Sequence, residues 1–191
     1  MTDNKLREKW DRRYDRASQV SDALDVLVEN AHLLPTRGAA LDLACGLGGS
    51  SLFLAERGLQ AWAWDLSSVA IGVLRRSAGE LPVEAEVRDV STRPPEAGRF
   101  DVICVGHFLD RGLCPAIAAA LKPGGLLFYQ TFCLDSVDES GPGNARYRLG
   151  SNELLELFPQ LIVRFYRDEG SVGDASQGFR NLAQLVAQRP S

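Results

Sequence analysis

Asp42, Gly46, Gly48, Asp65 and Asp89 are the residues whose types and spacing suit chemistry. Asp42 sits in the apolar run AALDLA, four residues before Gly46, so a carboxylate stands at the mouth of a Gly-x-Gly turn that also holds Cys45. Glycine lets the backbone approach a ligand closely, and the helix that follows such a turn offers unpaired N–H groups. Asp65 comes nineteen residues after Gly46, near the spacing at which a doubly wound sheet presents a carboxylate to ribose hydroxyls. Asp89, in EVRDV, is placed to accept from an adenine amino group, with Val90 offering backbone and an apolar surface. Together these residues suit the binding of an adenosine-containing cofactor. Each also has a plainer use: Asp42 can cap the turn, and Asp65 can cap a helix opening at Ser67.

The turn narrows the choice of cofactor. The dinucleotide fingerprint needs a third glycine where the helix meets the strand, and that position is Ser51. A triphosphate loop ends in Gly-Lys-Ser/Thr, and no lysine lies between Lys9 and Lys122.

The elements that must position these residues follow from periodicity. Strands are expected at Ala40 to Ala44, Gln60 to Trp64 and Val83 to Val87, alternating with helices at Gly49 to Arg57 and Ser67 to Ser77. Such alternation is the mark of parallel βαβ units. Phe100 to Val105 is apolar throughout, as a central strand covered on both faces should be. A helix at Leu113 to Leu121, a strand at Leu126 to Phe132 and a long polar loop from Cys133 to Gly150 come next. A helix at Ser151 to Leu157, capped by Ser151, leads to Gln160 to Arg167 and Phe179 to Ala187, strands that can close the sheet as an antiparallel hairpin. Two helices precede the sheet, one carrying Trp10 and Tyr14 on one face and one from Asp22 to Leu34. The expectation is a single α/β domain over 1–191, with a helical lid at 1–35 and a Rossmann-like, doubly wound core at 36–191. That core holds seven mostly parallel strands with an antiparallel last strand.

Composition excludes several classes. The chain has 191 residues and a formal net charge of -4, and its basic residues are dispersed, which argues against nucleic acid as a partner. No apolar run reaches the roughly twenty residues needed to span a bilayer, and the polar start is unlike a secretory signal, so a cytoplasmic protein with no membrane partner is expected. Cys45, Cys104, Cys114 and Cys133 lack metal-ligand spacing, so they read as buried thiols and no metal is expected.

LDLACGLG, the strand-ending Asp65, RDV at Asp89, FDVICV and LKPGG occur in the order that characterises the class I S-adenosylmethionine-dependent methyltransferases. The chain resembles that family, and most closely its small bacterial TehB-like branch through WDRRY at Trp10 to Tyr14, LDLACG at Leu41 to Gly46 and NARYRLGSNELLELF at Asn144 to Phe158. The resemblance implies that Asp42, Cys45, Gly46, Gly48, Asp65, Leu66, Asp89 and Val90 contact S-adenosylmethionine, and that Gly106 or His107 lines its methyl group.

Methyl transfer requires little beyond alignment of the acceptor in a dry site. Trp10 and Tyr14 can face the sulfonium through cation–π contact, or simply staple their helix to the core. His107 can take a proton from the acceptor, or serve as a structural histidine at a strand end. Tyr129, Gln130 and Thr131, with Arg146 and Tyr147 from the long loop, are expected to wall a small-molecule acceptor. The expected function is direct in-line methyl transfer by a monomer or homodimer. A non-catalytic S-adenosylmethionine-binding module and a nicotinamide oxidoreductase are the alternatives.

Overall fold

The computed structural model describes residues 3–191. Helix α1 (Asp3–Tyr14) and the short helix α2 (Asp25–Glu29) precede strand β1 (Gly38–Leu43). Then come α3 (Gly49–Glu56), β2 (Leu59–Asp65), α4 (Ser68–Ala78), β3 (Val83–Val87) and β4 (Phe100–Gly106). The chain continues through α5 (Cys114–Ala120), β5 (Leu121–Phe132), α6 (Glu153–Leu157), β6 (Ile162–Arg167) and β7 (Leu182–Gln188). The seven strands lie in the order β3-β2-β1-β4-β5-β7-β6. All neighbours are parallel except β5 with β7 and β7 with β6.

Strand order explains where a site must form. From β1 the chain builds outward to β2 and β3, then returns to place β4 on the other side of β1. Helices therefore leave β1 and β4 in opposite directions, which opens a crevice beyond their carboxyl ends. Both strands can occupy the middle because they are apolar on both faces: Ala40, Leu41, Leu43, Val102, Ile103, Cys104 and Val105 have no exposed surface. One face packs under α5 and α6 through Ile117, Leu154 and Phe158; the other packs under α2 and α3 through Val26, Leu27 and Leu54. Each such large side chain, fully buried, contributes roughly 1.5–3 kcal/mol relative to exposure.

Three sequence expectations need correction. The helix expected at Asp22 to Leu34 is only α2 plus a 3-10 turn at Ala31–Leu33. Leu24 is extended at φ -61° and ψ 138°, and Asn30 leaves the helical region at φ -110° while its side-chain amide donates to the Val26 carbonyl at 3.0 Å. That bond uses the acceptor on which the next helical turn would have been built. Strand β5 begins at Leu121 rather than Leu126, because Leu121 already pairs with Phe100 before an irregularity brings Leu126 opposite Val102. Ser151 does not cap α6. Asn152 holds that place at φ 61°, and Glu153 Oε2 accepts from the Gly150 N–H at 2.7 Å.

Candidate functional site

The turn after β1 is built by backbone N–H groups that donate to one carboxylate and a serine hydroxyl that donates to another. Asp65, at the end of β2, accepts from the Gly46 N–H through Oδ2 and from the Ser67 N–H through Oδ1, both at 2.8 Å. The Cys45 N–H donates to the Trp64 carbonyl at 3.0 Å, so the turn continues the β1–β2 pairing past the strand end. Asp42 is 3% exposed, and its Oδ2 accepts from the Ser51 hydroxyl at 2.7 Å. Ser51 thus fills the place of the missing third glycine with a donor aimed at the strand carboxylate.

These contacts set the electrostatics. Burial pushes Asp42 up to about 7, against the opposing effect of the Ser51 hydrogen bond and with a smaller upward push from Asp65. Asp65 is raised too, first by burial and less by Asp11, while the Ser67 and Gly46 N–H groups pull the other way. Burial, then the Asp42 and Asp65 charges, hold the Cys45 thiol well above its ordinary range, so it is no nucleophile at neutral pH.

Tyr14 covers this turn. A Cβ added to Gly46 would lie 2.9 Å from the Tyr14 hydroxyl oxygen, and Gly46 itself has φ 53°. Trp10 stacks on Tyr14 with ring centroids 6.1 Å apart. Burial, followed by the Asp65 charge, pushes Tyr14 up to about 12, which keeps its hydroxyl protonated and able to donate.

Two other expected ligand glycines serve packing. A Cβ at Gly48 would lie 2.4 Å from Leu74 of α4, and one at Gly106 would lie 2.6 Å from Leu24. The side-chain space freed at these positions belongs to Leu74 and Leu24. Leu66 directly follows Asp65 and is half-buried, and Val90 is buried in the core. Asp89 uses Oδ1 to accept from the Ser91 N–H and hydroxyl at 2.9 and 2.6 Å. Its slight burial is outweighed by these bonds, which lower its pKa.

His107 lies just past β4, the strand that pairs with β1. It is a non-glycine residue at φ 53°, and Ala44, just past neighbouring β1, has φ 55°. Left-handed backbone of this kind costs about 1 kcal/mol or more per residue and gathers at functional sites. The His107 N–H donates to the Gln130 carbonyl at 2.9 Å, and its ring lies 5.1 Å from that of Phe132. The residue remains partly exposed, yet desolvation against this packing is the largest influence on it and lowers its pKa, with Asp25 opposing and Arg13 assisting. A neutral imidazole at pH 7 follows.

The expected acceptor wall is not brought together. Tyr129 is fully buried and spends its hydroxyl on the Phe108 carbonyl at 2.8 Å, and Thr131 is buried within β5. Gln130 is a buried tie: its Oε1 accepts from the Val26 N–H and from Gln184 Nε2, each at 3.0 Å, and its Nε2 donates to Asp25 at 3.4 Å. Arg146 and Tyr147 are exposed on the 3-10 turn Ala145–Tyr147, stacked on each other at 5.7 Å. Asp11, Ser51, Leu24 and Ala44 escaped sequence reasoning. Only Ser51 carried a signal, as a polar residue where the fingerprint wants glycine.

A doubly wound sheet with a carboxylate-braced glycine turn at its switch point is an arrangement suited to an adenosine-containing cofactor. Residues 40–125 match a family model described as a methyltransferase domain. The chain is similar to that family over this segment, which is less than half of its length. It is 33% identical over 160 residues to a ubiquinone biosynthesis O-methyltransferase of Xanthomonas axonopodis pv. citri (strain 306), covering 80% of this chain and 64% of that protein. The chain thus spans less than two thirds of that relative's length. Among solved structures it is similar to TehB from Haemophilus influenzae, with a TM-score of 0.71 and 19% identity over 96% of this chain and 66% of that one. It is similar also to a protein solved in a study of the conversion of a disulfide bond into a thioacetal group during echinomycin biosynthesis. There the TM-score is 0.72, with 21% identity over 97% and 92% of the two chains.

Among the described residues no helix is long and apolar enough to cross a membrane, and no cluster of His, Cys, Asp and Glu could hold a metal ion.

Proposed function

We propose that this chain transfers the methyl group of S-adenosylmethionine to a small-molecule acceptor by direct in-line displacement. The observation that carries the reading is the pair of left-handed residues at the carboxyl ends of neighbouring strands, Ala44 leading into the braced turn after β1 and His107 following β4. The residues fit the cofactor: Gly46 presents backbone without a side chain, and Asp65 accepts from the Gly46 and Ser67 N–H groups on separate oxygens, which leaves lone pairs for ribose hydroxyls. Asp42 lies where it can offset a cationic amino group. Bound there, S-adenosylmethionine supplies an electrophilic methyl on a sulfonium centre.

The chain's own residues supply position, dryness and a base. Tyr14 covers Gly46, backed by the stacked Trp10 ring, and so limits water at the turn. His107, neutral near pH 7, takes the proton from an acceptor hydroxyl or thiol at the edge of the crevice. An oxygen acceptor is the reading favoured by the named O-methyltransferase relative.

Calorimetry with S-adenosylhomocysteine, followed by methyl-transfer assays on phenols, thiols and amines, tests the proposal. Binding with turnover is expected, with the rate falling on an acid limb below the ordinary histidine value of 6.5 that disappears in His107→Asn. Absence of binding overturns the cofactor assignment. Binding without transfer to any acceptor supports a recruiting module instead.

A further inference from the structure

We propose that Asp11 is a positioning residue for the cofactor, docking α1 on the first turn of α4 and so setting Tyr14 over the glycine turn. The inference rests on the cofactor reading above and concerns how the cover is held.

The contacts are specific. Asp11 Oδ1 accepts from the Ser67 hydroxyl at 2.6 Å and from the Val69 N–H at 3.3 Å. The Val69 N–H is one of the donors that a helix start leaves without an intrahelical partner. Ser67 also caps α4, its Oγ accepting from the Ala70 N–H at 3.2 Å, while its own N–H donates to Asp65 at 2.8 Å. A single residue therefore touches both the carboxylate offered to the ribose and the acid that holds α1. Tyr14 lies three residues beyond Asp11 on the same helix face, and its hydroxyl reaches the open side of Gly46.

Tyr14 over Gly46 makes α1 a cover for the turn. In the docked state Asp11 and Asp65 stand on either side of Ser67. The contact needs an acceptor oxygen rather than a charge, and Asn can supply one.

The test measures S-adenosylhomocysteine affinity of the full chain by calorimetry, with the melting temperature of each ligand-free variant as a control. Asp11→Ala is expected to weaken binding about tenfold, as loss of a charged hydrogen bond should. Asp11→Asn is expected to recover most of that loss, and KM for S-adenosylmethionine in Asp11→Ala should rise while kcat at saturation stays within a few-fold. Because Asp11 acts through Tyr14, the double variant Asp11→Ala, Tyr14→Phe should bind more tightly than the two single losses added together predict. Fully additive losses, or an Asp11→Ala variant that binds like wild type, overturn the proposal. A wild-type chain that binds no S-adenosylhomocysteine overturns the cofactor reading and this proposal together.

Discussion

Around Gly46 the chain is held by backbone N–H groups donating to carboxylates, whereas between Cys133 and Asn181 it is held by guanidinium groups donating to backbone carbonyls. Asp65 gathers the Gly46 and Ser67 N–H groups in the first region. In the second, buried Arg148 donates to the carbonyls of Cys133, Ser140 and Pro142. Arg180 reaches the carbonyls of Glu169, Gly170, Val172, Asp174 and Gln177. Arg111 pairs with Glu153 while donating to the carbonyls of Arg146 and Arg148. The carboxylate-braced region keeps oxygen lone pairs to offer a ligand that carries donors. The arginine-braced region spends its donors on itself, so it acts as scaffold around the crevice.

The contrast predicts unequal responses to substitution. Arg148→Ala should cost the most, roughly 3 kcal/mol in urea unfolding, because it leaves the buried Cys133 carbonyl and the partly buried bonds to Ser140 and Pro142 without their donor. Arg148→Lys should not restore it, since one ammonium cannot reproduce the planar fork; full rescue by lysine would break the comparison. Asp65→Ala should weaken S-adenosylhomocysteine by about 2 kcal/mol in calorimetry through lost charged hydrogen bonds, and unchanged affinity would remove Asp65 from the site.

Asp42→Asn sharpens the comparison through pH. Burial raises the Asp42 pKa from its ordinary 3.8 to about 7, so folding takes up a proton between those values and stability falls as pH rises through that window. Asparagine can still accept the Ser51 hydroxyl without a charge. The ligand-free variant should therefore be more stable than wild type at pH 8, on the order of 2 kcal/mol by urea unfolding, with the gain vanishing near pH 4. An equal gain at both pH values would exclude ionisation as the cause. Ala44→Gly should show the smallest effect, a gain of about 0.5–1 kcal/mol from relieving its left-handed backbone, read as a modest rise in melting temperature.

Legibility divided along the same line. The meeting of Asp42, Gly46 and Asp65 at one turn was legible because it depends on short sequence spacings around a strand end and a turn. The chain order of β1 to β5 followed from alternating apolar runs. The acceptor wall was misjudged because position at a strand's end does not say which face a side chain takes, and Tyr129 and Gln130 point into opposite layers of the core. The reading of Asp22 to Leu34 as one helix failed because Asn30 and the extended Leu24 override the apolar pattern.

By itself the sequence determined the doubly wound sheet and the place of the glycine turn, since apolar periodicity and local turn chemistry act between near neighbours. Tertiary structure alone decided that Ser51 braces Asp42, that Leu24 and Leu74 occupy the space beside Gly106 and Gly48, and that Asp11 meets Ser67 across 56 positions. Those contacts depend on which faces the packed layers bring together, and no spacing along the chain encodes that.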